Sequence, residues 1–145
     1  MENVIEVNYQ HGINLQHSTH NIIFKNKITK NGDGIWIKYS SDNIVSRNDI
    51  EANKYNGIEI HQSSHNTIAE NYIIKNGLRW PYWAGIEVED SSNNKIYHNS
   101  FIDNGEQIAI TNSSNVWDDG YPSGGNYWSD YNGTDFHWGF WSGRN

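Results

Sequence analysis

The chain has no cysteine and only two leucines, Leu15 and Leu78, in 145 residues. Without cysteine there is neither a disulfide framework nor a thiolate metal site. Leucine is a strong helix former and a staple of helical cores, so its scarcity argues against a helical bundle. Basic residues are also few. Ten Lys and Arg stand against 17 Asp and Glu, for a net charge of −7, which speaks against a nucleic-acid groove built on clustered cations. No apolar run approaches the roughly 18 residues that span a bilayer, and no signal-peptide pattern opens the chain. The length suits one domain with its own core rather than two.

What is abundant is asparagine and isoleucine, 22 and 19 residues respectively, with 13 glycines. Isoleucine favours strands, and Asn with Gly favours tight turns at positive φ. These residues recur in register. Gly-Ile starts at Gly12, Gly34, Gly57 and Gly85, with a degenerate copy at Gln107, spaced 22, 23, 28 and 22 residues apart. Two positions after each first Ile comes Leu15, Ile37, Ile60, Val88 or Ile110, followed by Ser18-Thr19, Ser40-Ser41, Ser63-Ser64, Ser91-Ser92 or Ser113-Ser114. Asn21, Asn43, Asn66 and Asn94 then precede an apolar residue two positions on. Each copy closes on Asn-x-apolar-x-x-Asn, as in Asn26-Ile28-Asn31 and Asn71-Ile73-Asn76. The same ending at Asn3-Ile5-Asn8 reads as the tail of a preceding copy.

Each copy holds three short strand-like runs and no stretch long enough for a helix. A unit of about 22 residues that cannot bury a face alone must stack on its neighbours. The expected fold is therefore all-β: a right-handed, single-stranded parallel β-helix of about five coils, with coils separated by about 4.8 Å. Isoleucines point inward in vertical stacks, and asparagines form side-chain ladders at the corners. Leucine-rich repeats share the period, but they need a helical or 3₁₀ return segment. Here the return reads Ser-Ser-x-Asn-x-Ile. The expected division is coils over 1–115, with an aromatic loop at 78–84, and a Gly/Asn/Asp-rich C-terminal cap over 116–145.

The pattern G-I-x-I-x-x-S-S-x-N-x-I-x-x-N-x-I-x-x-N resembles the NosD-like parallel β-helix repeats over roughly residues 3–115. The string N-V-W-D-D-G-Y-P-S-G-G-N-Y-W-S-D-Y over residues 115–131 is similar to a tail motif that follows such coils in many archaeal and bacterial surface proteins. The resemblance implies the pectate-lyase-like superhelix and the broad class of carbohydrate-binding proteins and sugar hydrolases. It specifies architecture more than activity, because function resides in sites carried on the fold.

Stacking converts sequence columns into surface rows. The first outward row of the Gly-Ile strands reads Asn14, Trp36, Glu59, Glu87, Ala109, and the next reads Gln16, Lys38, His61, Glu89, Thr111. Glu59 and Glu87 are thus expected as neighbours, a spacing that suits a retaining glycosidase pair, or a calcium site if a third oxygen joined. The six-residue expansion Leu78-Arg79-Trp80-Pro81-Tyr82-Trp83 immediately precedes this strand. Trp36, Trp80, Tyr82 and Trp83, with His61 and Glu89, are the expected carbohydrate contacts, since aromatic faces stack on pyranose rings. The competing reading is a solvated acidic face beside a loop that covers the sheet.

Residues 116–145 hold nine of the 20 aromatics, among them Trp117, Trp128, Phe136 and Trp141, as suits a plug over an open solenoid end. Asp118, Asp119, Asp130 and Asp135 are weak calcium candidates, and no other cofactor is expected. The name NosD is tied to copper-site maturation, yet His11, His17, His20, His61, His65, His98 and His137 fall in different columns, so no dedicated copper site is expected. Asn112 and Asn132 begin glycosylation sequons that chance explains in so Asn- and Ser-rich a chain. At the other end, Ile5, Ile13, Leu15 and Ile23 line an edge with no cap ahead of it, which predicts either a longer parent chain or end-to-end self-association into a filament. The expected role is a non-catalytic extracellular or cell-surface scaffold contacting a glycan or other surface polymer, with no nucleic-acid partner and no membrane insertion. The alternatives are a filament subunit, and a glycan hydrolase or lyase using Glu59 and Glu87.

Overall fold

The computed structural model describes residues 3–79, 81–120 and 122–132. Strand β1 (Asn3–Glu6) ends a partial coil. The first full coil is β2 (His11–Gln16), β3 (Ile22–Phe24) and β4 (Asn26–Thr29). The second is β5 (Asp33–Lys38), β6 (Ile44–Ser46) and β7 (Asp49–Glu51), and the third is β8 (Ile58–His61), β9 (Thr67–Ala69) and β10 (Tyr72–Ile74). The fourth is β11 (Ala84–Glu89), β12 (Ser92–Tyr97) and β13 (Ser100–Ile102); the fifth is β14 (Glu106–Thr111), β15 (Ser114–Val116) and β16 (Tyr127–Trp128). Like strands of successive coils stack in parallel into three sheets. The first carries β2, β5, β8, β11 and β14, the second β3, β6, β9, β12 and β15, and the third β1, β4, β7, β10, β13 and β16. This is the expected parallel β-helix of five coils.

Its core is a set of isoleucine stacks. Ile35, Ile58 and Ile86 form one column and Ile37, Ile60 and Val88 the next, all fully buried. Ile28, Ile50, Ile73 and Phe101 fill the third sheet's side.

Three asparagine ladders hold the corners. One runs Asn3–Asn26–Asn48–Asn71–Asn99–Asn126, one Asn8–Asn31–Asn53–Asn76–Asn104, and one Asn21–Asn43–Asn66–Asn94–Asn115. Beyond Asn26, which accepts the Asn3 side-chain amide, each ladder Asn Oδ1 that has a predecessor accepts both its backbone N–H and its side-chain amide, as Asn71 does from Asn48 at 3.0 Å each. Its own amide turns back to a carbonyl of the coil before, Val45 in the case of Asn71. A fourth row, Ser18–Ser40–Ser63–Ser91–Ser113, accepts backbone N–H groups in the same way. Among the described residues no buried side-chain polar atom lacks a partner. This arrangement demands an unusual backbone: residues just before the ladder positions, such as Lys30, Ala52, Lys75, Tyr39 and Arg47, adopt left-handed φ near 50–57°.

The repeated glycine has a steric cause. A Cβ on Gly34 would lie 2.4 Å from the Gly57 carbonyl oxygen and 2.9 Å from the Asn53 amide nitrogen. Gln107 breaks the glycine pattern in the fifth coil, where its side chain accepts from Asn104 and donates to Ser129.

The tail adds to the solenoid as well as covering it. Asn126 extends one ladder, β16 adds a sixth strand to the third sheet, and Trp128 stacks on Phe101 with centroids 4.5 Å apart. Trp117 and Trp128 pack on the end of the core. The part of the expected cap that includes Phe136, Trp138, Phe140 and Trp141, and also Tyr121, lies outside the described residues.

Candidate functional site

The outer face of the first sheet carries three outward rows. The two expected from the repeat are present in register: Asn14, Trp36, Glu59, Glu87, Ala109, and Gln16, Lys38, His61, Glu89, Thr111. A third row, formed by the residue before each glycine position, begins His11, Asp33, Asn56 and Ala84. Column reading that began at the glycine did not include it. The signal was available, since His11, Asp33 and Asn56 are all polar and hold one repeat position.

These residues form a hydrogen-bonded strip across coils. The buried Asn56 is its hub. Its Nδ2 donates to Glu87 Oε2 at 2.6 Å and Glu59 Oε2 at 3.3 Å, while its Oδ1 accepts the Ala84 backbone N–H at 2.8 Å. Glu59 Oε1 accepts the Trp36 indole N–H at 2.9 Å. Asp33 Oδ1 accepts the Asn56 backbone N–H, and Asp33 Oδ2 lies 3.0 Å from His11 Nδ1. His11 in turn stacks flat on Trp36, with centroids 4.7 Å apart and planes 5° from parallel. Beyond it, His61 Nδ1 pairs with Glu89 Oε2 at 2.8 Å, and Lys38 Nζ sits over the Trp36 and Tyr39 rings. Glu59 and Glu87 are therefore neighbours, joined by one amide and held by a ring N–H. One face of Trp36 is occupied by His11.

Burial on this strip, and after it the crowding of carboxylates, raises two of their pKa values. Burial pushes Asp33 up to about 6, with nearby Glu59 adding to the effect and the Asn56 N–H and His11 opposing it. Glu87 is also raised, by burial first and by the charges of Glu59, Glu89 and Asp33, against the stabilising Asn56 hydrogen bond. Such groups retain a proton further toward neutral pH than an ordinary carboxyl.

The aromatic loop is placed differently from the strip. Trp83 packs on Tyr55 at 5.0 Å, and its carbonyl accepts the Glu106 N–H. Tyr82 is largely exposed. Trp80 lies outside the described residues. In the tail, Asp118 accepts the Gly120 N–H and Asp119 accepts from Ser123, so both tie a turn; Asp130 is exposed and Asp135 lies outside the described residues. Asn112 is exposed and donates to Asp90 at 2.6 Å, and Asn132 is exposed while the rest of its sequon is outside the described residues.

A family model described as "Periplasmic copper-binding protein (NosD)" matches residues 1–133. The chain belongs to this family. A search of the curated proteins found no match. Among solved structures, the T265N mutant of the periplasmic alginate epimerase AlgG superposes with a TM-score of 0.65 at 20% identity, covering 86% of this chain. The unmutated AlgG gives 0.57 at 21% identity and its D317A mutant 0.55 at 20%, each over 78% of this chain. This chain spans 38–39% of the length of those epimerase chains. At such identities the likeness concerns the β-helix itself.

Copper prefers imidazole, thiolate and thioether donors. The described residues do not fit it: there is no cysteine, and no three His, Asp or Glu side chains converge as ligands among them. His11 and His61 are engaged by Asp33 and Glu89, His17 is stacked on Tyr39, and His98 lies 3.1 Å from Ser123 in the tail.

Proposed function

We propose that this NosD-family chain is a carbohydrate-contacting β-helix module of the periplasm or extracellular space, with the outer face of its first sheet as the contact surface. The Asn56 amide bridging Glu59 and Glu87 carries this reading. It fixes a row of acceptors in place on a rigid sheet, where sugar hydroxyls can donate to them without an ordering cost. Exposed Tyr82, beside the start of β11, adds an aromatic surface at the rim. The strip is acidic, with Asp33, Glu59, Glu87 and Glu89 opposed by Lys38, so it suits neutral or amino sugars better than uronates. The family description and the epimerase likeness are compatible with this setting, and the binding role rests on the strip.

A second reading, glycan cleavage, is favoured by the raised pKa of Glu87, which suits a general acid with Glu59 as its partner. Three side-chain hydrogen bonds already engage the pair, which favours holding over reacting. A glycan array with the full chain and with Glu59→Gln and Glu87→Gln separates the two. Contact predicts binding to neutral polymers, weakened about tenfold or more by either substitution, with no release of reducing ends. Release of reducing ends that both substitutions abolish establishes cleavage instead. Unchanged array binding in both variants overturns the strip as the surface.

A further inference from the structure

The chain is acidic, yet its cations are not evenly spread. A groove of about 500 Å³ runs along the corner between the third and first sheets. Four of the ten Lys and Arg residues line it: Lys30, Lys54, Lys75 and Arg79, with no carboxylate among the lining residues. The ladder geometry produces this. Lys30, Ala52 and Lys75 occupy the same left-handed corner position in three consecutive coils. That position sends each side chain outward, along one line parallel to the solenoid axis. Lys54 follows Asn53, as Gly32 follows Asn31 one coil earlier. A Cβ at Gly32 would strike the Gln10 carbonyl at 1.9 Å, so this part of the groove floor stays bare. The coil expansion supplies the far wall through Leu78 and Arg79.

All four cations are exposed, and among the described residues none forms an ion pair; Lys54 sits over the Tyr55 ring at 4.8 Å. Like charges a coil or two apart repel, and a sequence with 17 acidic residues had ample means to neutralise them. Asp103 occupies the next position of the Lys30–Lys75 column and ends the basic run.

We propose that this groove binds an acidic polysaccharide, a linear glycan bearing carboxylate or sulfate groups, laid along the helix axis across coils one to three. Lys30, Lys54 and Lys75 place one cation on each of three consecutive coils, Lys54 beside rather than within the column, so spaced anions of a linear chain can each meet one, and the exposed ring of Tyr9 at the groove's edge offers a stacking face for a pyranose. A duplex nucleic acid fits less well, because its dense charge meets a molecule of net charge −7. That the anion is carried by a glycan rests on the carbohydrate reading above; the anion preference of the groove does not.

The test uses the full chain and the triple variant Lys30→Gln/Lys75→Gln/Arg79→Gln, with Lys95→Gln, an exposed lysine on the second sheet, as the control. Binding to polygalacturonate, to a sulfated galactan, to neutral galactan and to a short DNA duplex is measured at low and moderate salt. The proposal expects affinity for an acidic glycan, falling with salt, reduced tenfold or more in the triple variant and retained in Lys95→Gln. The two acidic polymers distinguish carboxylate from sulfate. All three replaced side chains are exposed, and an unchanged thermal midpoint shows that the triple variant is folded. Equal binding of the acidic polymers by the triple variant, or an equal loss of neutral galactan binding in that variant, overturns the groove as an anion site. Tighter binding of the duplex overturns the glycan as its ligand. Failure of the first-sheet reading would instead show as unchanged neutral-polymer binding in Glu59→Gln.

Discussion

Asp33 shows how one residue ties the fold to the surface. It lies at the start of β5, receives the Asn56 N–H, faces His11, and feels Glu59 one coil away. Its proton leaves near 3.8 in the unfolded chain and near 6 in the folded one. Between those values the folded state binds more protons than the unfolded state, so this residue's contribution makes stability fall as pH rises through that window. Asp33→Asn keeps an acceptor for the Asn56 N–H and removes the charge. It is expected to raise stability by about 1–3 kcal/mol at pH 7, with the gain vanishing near pH 4. Urea unfolding at both pH values reads this directly, and a gain that persists at pH 4 would show that the benefit is not electrostatic.

At the scale of the element, ladders rather than single strands hold the coils together. Strands of two to six residues pair poorly alone, and at the corners between them Asn and Ser side chains replace missing backbone partners. Asn71→Ala would orphan the buried Asn48 N–H and remove the side-chain donor that the Val45 and Ala69 carbonyls share. The expected cost is about 3 kcal/mol. Asn21, at the exposed end of its ladder, should cost about 1 kcal/mol or less when changed to Ala. Denaturant midpoints of the two variants decide it, and equal costs would mean that ladder position is irrelevant. The spacing of Asn in the chain already marked these positions. It did not mark the left-handed residues before them, because Lys, Ala, Tyr and Arg carry no such preference. Their conformation is imposed by the ladder.

Over the whole molecule, stability should be graded along the axis. A solenoid contacts only neighbouring coils, so its energy is close to a sum of local terms. Ile60, fully buried in the third coil, is expected to cost about 2–5 kcal/mol when changed to Ala. Ile13, partly buried in the first coil, should cost less, and the loss should stay near β2 and β5. Amide hydrogen exchange tests this through slowest exchange in coils two to four and a local rather than global response to Ile13→Ala. Uniform protection would point to a single cooperative core instead.

The repeat was sufficient to define the coil count, the inward isoleucines, the ladder asparagines and the neighbourhood of Glu59 and Glu87, because all of these follow from one periodicity and the alternation of strand side chains. Three things required the folded chain. Asn56 became a hub through the combined placement of its amide between two glutamates and the Ala84 N–H, and spacing alone assigns no such bond. Trp83 turned toward Tyr55, because a loop of six extra residues has no register to inherit. The basic groove arose from corner residues whose side-chain direction depends on a left-handed backbone, where residue identity carries little information. Periodic contacts are written in the chain as recurring letters; charge, burial and direction at a surface are set by which coils meet there.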